Sequence, residues 1–261
     1  MTILLALLTP LGGAFLILLF RTSPNLRESM TLLSAFTLFG LVASLVPEVS
    51  SGGRPALELL EMMPGLSIAF VVEPLGMVFA CVASFLWIVT SIYSIGYMRA
   101  HHEDNQTRFY FFFAISLFAT MGVTFAGNML TLFIFYEVLT LCTFPLVTHS
   151  GTAEAKRAGR VYLGILLGTS IGFLLLAVIW TWIIAGTLDF APGGIIEGRA
   201  SDLSVAILLA LYVFGIGKAA LMPFHRWLPA AMVAPTPVSA LLHAVAVVKA
   251  GVFAVLKVIV Y

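Results

Sequence analysis

The sequence predicts an all-α integral membrane protein of about eight transmembrane helices, and three observations support this fold class. The chain is 61% hydrophobic and only 10% charged over 261 residues, a composition at which a soluble domain would aggregate. Its apolar runs recur at about 20 residues, the length a helix needs to cross the hydrocarbon of a bilayer. Glu137, Lys218 and Lys249 stand singly inside three separate runs. A lone charge at the bilayer centre costs roughly 2.5 to 3.5 kcal/mol on insertion scales, so such residues face the bundle interior and mark ion or proton paths.

The runs predict spans near residues 2–20, 30–46, 68–98, 108–126, 128–149, 160–186, 203–233 and 236–260. The first has no basic segment ahead of it, which favours a retained helix over a cleaved signal peptide. The fourth and fifth form one run too long for a single crossing, and Ala126-Gly127-Asn128 offers a tight turn that divides it. Charge tests this division. With it, the odd-numbered connections carry Arg21, Arg27, Arg99, Arg108, Lys156, Arg157, Arg160 and Arg226, and the even-numbered ones carry Arg54 and Arg199. Basic residues collect on the cytoplasmic side, which places the amino terminus outside. Gly164, Gly168 and Gly172 give the sixth helix a smooth strip on which another helix can pack. In the seventh, Pro223 and Pro229 follow Lys218, and proline removes a donor and clashes with the preceding turn. This helix is expected to break close to Lys218, where protein or a water-filled cavity has to satisfy the freed backbone. The apolar run still continuing at Tyr261 suggests the amino-terminal part of a longer protein. Residues 1–261 are read as one domain, with amino-terminal helices over 1–107 and a second group over 108–261.

Composition also excludes several classes. Net charge is +1, and no basic cluster interleaves with aromatics, so nucleic acid is not an expected partner. Cys81 and Cys142 both lie in apolar runs and read as small hydrophobes, not a disulfide framework. There is no haem-ligand pair, cysteine cluster or nucleotide loop, so no cofactor, redox centre or chemistry of its own is expected.

What remains is a set of groups that exchange protons. A carboxylate moving toward or away from a buried lysine can load and unload it, and Glu137 and Lys218 suit that switch. His243 and Lys249 are six residues apart, about 9 Å along a helix and roughly 120° around it, and water could bridge them. Other readings stand beside these. Glu137 and Lys218 could form a static ion pair that fixes packing, Lys249 could snorkel, and His243 could be a satisfied core histidine. His225, Arg226 and Trp227 read as interfacial anchors. Glu73, beside Pro74, reads as a capping or interface carboxylate. His101, His102, Glu103 and Asp104 read as solvated loop in preference to a metal site, and His149 is ambiguous.

Three strings occur in order: Phe133-Ile-Phe-Tyr-Glu137-Val-Leu-Thr140, Lys218-Ala-Ala-Leu-Met-Pro-Phe-His225-Arg-Trp-Leu-Pro229, and Ala234-Pro-Thr-Pro-Val-Ser-Ala-Leu-Leu-His243-Ala-Val-Ala-Val-Val-Lys249-Ala-Gly251. With them the chain resembles the antiporter-like subunits of respiratory complex I, membrane-bound hydrogenases and Mrp-type sodium/proton antiporters. Tyr93-Ser-Ile-Gly-Tyr-Met98 resembles the Mrp branch, especially its D subunit. The resemblance implies that Glu137 is the fifth-helix glutamate and Lys218 the lysine of the broken helix, with His243 and Lys249 the eighth-helix groups of a proton path. It implies an architecture of two inverted five-helix repeats, of which helices four to eight (108–261) supply one and the second is absent. The expected function is a proton-translocating subunit of a multisubunit Na⁺/H⁺ antiporter in the inner cell membrane, partnered by other membrane subunits and the lipid bilayer. A proton-pumping subunit of complex I or a hydrogenase is the alternative, and a non-conducting scaffold is a third reading.

Overall fold

A computed structural model gives the fold, and the structure describes residues 1–240 and 246–261. The sequence-predicted relay residue His243 lies outside the described residues. Among those described, six helices are long and apolar enough to cross a membrane: Thr2–Leu19 (α1), Pro24–Ser50 (α2), Pro74–Ala100 (α3), Gln106–Thr124 (α4), Met129–Val147 (α5), and a continuous rod from Ala153 to Ala185. A π-helical turn over Ser170–Leu174 divides the rod into α6 (Ala153–Thr169) and α7 (Leu175–Ala185). A shorter helix α8 (Asp202–Gly215) follows, then the short turns α9 (Trp227–Ala231) and α10 (Thr236–Val238), and finally α11 (Val248–Val260).

The chain is not wholly α-helical. Between α2 and α3 it forms an antiparallel hairpin of β1 (Ala56–Met63) and β2 (Leu66–Val71). The expected third helix, 68–98, therefore starts at Pro74, whose fixed φ and missing N–H suit a first helical turn. Pro64-Gly65 closes the hairpin with Gly65 at φ +81°, a backbone that residues with a Cβ rarely adopt. Apolar content made the residues from 68 onward resemble the start of a span, but 68–71 belong to β2, which lies at one end of the bundle.

The second helix extends beyond its hydropathy limits at both ends. It begins at Pro24 and not at residue 30, because Arg27 and Glu28 near its start are buried and paired. Arg27 donates to Gln106 Oε1 at 2.7 Å and to Thr107 Oγ1 at 3.2 Å, and Arg99 binds Glu28. This network ties the starts of α2 and α4 to the end of α3. Hydropathy treats those charges as loop.

The division between α4 and α5 falls at the expected place. Asn128 caps α5, its Oδ1 accepting from the Thr131 amide at 2.8 Å while its Nδ2 donates to Ser67 O at 2.7 Å. Gly127 is there for closeness, since a Cβ would stand 2.9 Å from Val71 Cγ2. The hairpin, this turn and the segment after α7 thus meet at one end of the bundle, bridged between Phe70 and Ala126 and between Asn128 and Asp189. Arg21, Arg27, Arg99, Arg108, Lys156 and Arg157 occupy the other end. The glycine strip of the sixth helix differs from expectation: Gly164, Gly168 and Gly172 face outward with nothing within 4 Å of a built Cβ.

Candidate functional site

Two glycines and a proline-rich segment create the break that sets the site. Gly215 ends α8 against the π turn, where a Cβ would lie 2.4 Å from the Leu174 amide nitrogen. A Cβ on Gly217 would meet Thr169 Oγ1 at 2.3 Å. Packed this tightly against the sixth rod, the chain leaves the helix and makes a single 3₁₀ turn, Gly217–Ala219, with Lys218 at its centre. The break frees backbone groups at membrane depth, and they need partners. Side chains supply them: the Lys218 amide donates to the Tyr136 hydroxyl at 3.0 Å, and Trp227 Nε1 donates to Gly217 O at 2.9 Å. Trp227 was expected at an interface, but it is fully buried and stacks edge-on against Tyr162 at 5.6 Å. Its indole satisfies the broken backbone. His225 and Arg226 remain exposed.

Lys218 is fully buried. Its ammonium donates to the main-chain carbonyl of Tyr136 at 2.7 Å and to the hydroxyl of Thr140, and it lies over the Tyr136 ring at 3.2 Å from the centroid. A lysine has three donors, and this cradle accounts for all of them with neutral groups. Glu137, the next residue along α5, forms no ion pair with Lys218. Both its carboxylate oxygens are buried without a hydrogen-bond partner among the described residues. Lys218 acts on it through charge, and the Ser170 hydroxyl of the π turn lies close to it but donates to Leu167 O at 3.3 Å. The structure therefore brings a buried acid and a buried base together without joining them.

Lys249 takes a different position. On α11, Gly251 packs against the broken segment so closely that a Cβ would stand 2.2 Å from the Ala219 amide. Two residues are about 200° around a helix, so Lys249 faces away from Lys218. It is exposed in a shallow apolar cleft with Leu75, Phe79 and Leu256, and makes no hydrogen bond or ion pair among the described residues.

Sequence reasoning did not anticipate a second buried lysine. Lys257 is 1% exposed and pairs with Glu73 at the start of α3. Phe190 and Tyr261 close around its ammonium at 4.3 and 4.8 Å. The signal was present, a second lysine eight residues after Lys249 in the same apolar run, but that stretch was read only as the chain's end. Tyr136 and Thr140 went unnoticed because a tyrosine and a threonine in a span look like packing. At the basic end, His149 is buried with neither ring nitrogen hydrogen-bonded among the described residues, and Glu103 stands 4.0 Å from Nε2. Burial, helped by Arg108, pushes this histidine below its ordinary value.

Comparison with known proteins gives a family. The transmembrane family described as NADH:quinone oxidoreductase/Mrp antiporter matches residues 126–261, and the family of complex I chain 5 amino termini matches residues 63–110. Antiporter subunit mnhA2 of Staphylococcus saprophyticus is 31% identical over 84% of this chain and 27% of its own length. Subunit 5 of the NAD(P)H-quinone oxidoreductase of Paulinella chromatophora is 28% identical over 95% of this chain and 40% of its own. The solved Mrp complex from Dietzia contains a chain that superposes with a TM-score of 0.79 at 26% identity, covering 97% of this chain and 28% of that one. The chain thus spans about a quarter to two fifths of the length of these relatives.

Proposed function

Because the chain belongs to the transmembrane family shared by NADH:quinone oxidoreductases and Mrp antiporters, we propose that it is the part of a multisubunit monovalent-cation/proton antiporter that moves protons through the membrane by way of Lys218. Membership makes it a multi-pass membrane protein of the antiporter-like class. The observation that carries the finer reading is a fully buried ammonium held by neutral groups beside a buried carboxylate whose oxygens have no hydrogen bond or ion pair among the described residues. A static structural pair would be joined, as Glu73 and Lys257 are.

In this reading Lys218 carries the proton, and Glu137 changes its affinity by approaching or withdrawing. His243 and Lys249 connect Lys218 to further stations. This requires Lys249's cleft to be enclosed by more protein, from the longer chain of its relatives or from a neighbouring subunit, since an exposed ammonium in lipid is costly. The group from α4 onward, residues 108–261, acts as one five-helix repeat behind the amino-terminal helices of 1–107. The basic end faces the cytoplasm, with the amino terminus on the outer side of the cell membrane. Na⁺ is the proposed counter-ion.

The relative from Paulinella, an oxidoreductase subunit, favours a second reading in which the same residues pump protons for a redox-driven assembly. Glu137→Gln and Lys218→Ala, made in the full-length protein and reconstituted with its partner subunits, test the proposal. Loss of proton flux with normal assembly is the expected result, and unchanged flux returns the chain to a scaffold role. Dependence of that flux on added Na⁺, as opposed to an electron donor, separates the two transport readings.

A further inference from the structure

The Lys218 ammonium has a place to sit that is not Glu137, and that place is built. Thr140 Oγ1 donates to Tyr136 O at 3.1 Å, the back-bond usual for a helical threonine. Its lone pairs are thereby left free to accept from Lys218 Nζ. Thr143, one turn further on, cannot substitute, because its hydroxyl is engaged by Tyr162 at 2.5 Å. Tyr136 holds the lysine twice, with its hydroxyl on the backbone amide and its carbonyl on the ammonium. Glu137 and Thr140 are three residues apart and so neighbours on one helix face, about 5 to 6 Å between Cβ atoms. A flexible lysine stem can cross that distance with no movement of the helix.

We propose that Thr140, with the carbonyl of Tyr136, is a neutral second seat for the Lys218 ammonium, and that Thr140 is the positioning residue that sets how readily Lys218 leaves Glu137. The proposal rests on the reading that Lys218 carries protons. In the observed conformation the lysine occupies the neutral seat, and the acid is not joined to it. Were the seat absent, the ammonium's alternatives would be to return to Glu137 or to lose its proton. Among the described residues, the ionisable groups that face Lys218 are Glu137, Tyr136 and Cys142 on α5, with Tyr162 of α6 behind them. α11 presents Gly251 at this point.

The test is the pH profile of proton flux in the reconstituted full-length complex. Thr140→Val keeps the shape and removes the acceptor. A hydrogen bond to a charged group is worth about tenfold in equilibrium, so the profile is expected to move roughly one pH unit toward acid. Thr140→Ser, which keeps the hydroxyl, is expected to restore it. An unchanged Thr140→Val profile overturns the proposal, as does a Thr140→Ser profile shifted equally, which would mean the methyl matters and not the hydroxyl. If Thr140→Val fails to assemble, Thr140→Cys, a poor acceptor of similar size, gives the same reading, and a wild-type profile there also overturns it. Glu137→Gln run in parallel separates the two failures. If it retains flux, the underlying proton-path reading is wrong, whereas if it abolishes flux while Thr140→Val has no effect, only the second seat is wrong.

Discussion

Two lysines are buried in this bundle, and they are buried differently. Lys257 reaches Glu73 inside an aromatic enclosure. Lys218 sits on a carbonyl, a hydroxyl and a ring while the neighbouring carboxylate has no hydrogen bond or ion pair among the described residues. A joined pair is a closed arrangement in which each charge satisfies the other, so opening it means leaving two bare charges in low dielectric. A cation on neutral groups can leave them with less penalty. On the proposed reading, burial alone does not mark a transport residue, and burial beside an opposite charge to which the lysine is not joined does.

The contrast can be broken by substitution. Lys257→Met strands Glu73, and removing one partner of a buried pair costs about 3 to 5 kcal/mol. Unfolding of the purified protein would show that loss, and Lys257→Met with Glu73→Leu should recover most of it. Lys218→Met leaves behind a carbonyl that is still hydrogen-bonded and a threonine that is still back-bonded, so the stability change should be smaller, about 1 to 2 kcal/mol. Equal losses at the two sites would erase the distinction. The smallest effect concerns His149 at the basic end. Its folded-state value lies below its unfolded one, so the folded state holds fewer protons. The neutral ring therefore contributes stability that is fully present above the unfolded value and is lost as pH falls through the folded one. His149→Gln should flatten that acid limb of the stability profile, and an unchanged limb would show that His149 carries none of it.

How much of this was legible in the sequence depended on the kind of signal. Hydropathy found the six spans that the described residues form as long helices, of the eight expected, because crossing a bilayer needs length, and charge parity found the turn at Gly127-Asn128 because basic residues favour one side. The β-hairpin escaped because six apolar residues ahead of Pro74 look alike as strand or helix until tertiary contacts decide. The polar start of α2 escaped for the opposite reason, since charges that are paired and buried read as loop. Within the site, Glu137 and Lys218 were visible as lone charges in apolar runs. Their separation was not, since it depends on a main-chain carbonyl and a back-bonded threonine. The outward direction of Lys249 follows from Gly251, whose missing Cβ lets α11 seat on the broken segment with that face inward. The strings that carry the resemblance indicate the family and do not separate one subunit type from another.

The most direct test compares the two lysines in one experiment. Proton flux per assembled complex would be measured in proteoliposomes for the full-length protein carrying Lys218→Met or Lys257→Met. Flux should fall to background in the Lys218→Met complex and persist in whatever Lys257→Met complex assembles. Flux retained without Lys218 and lost without Lys257 would contradict the account.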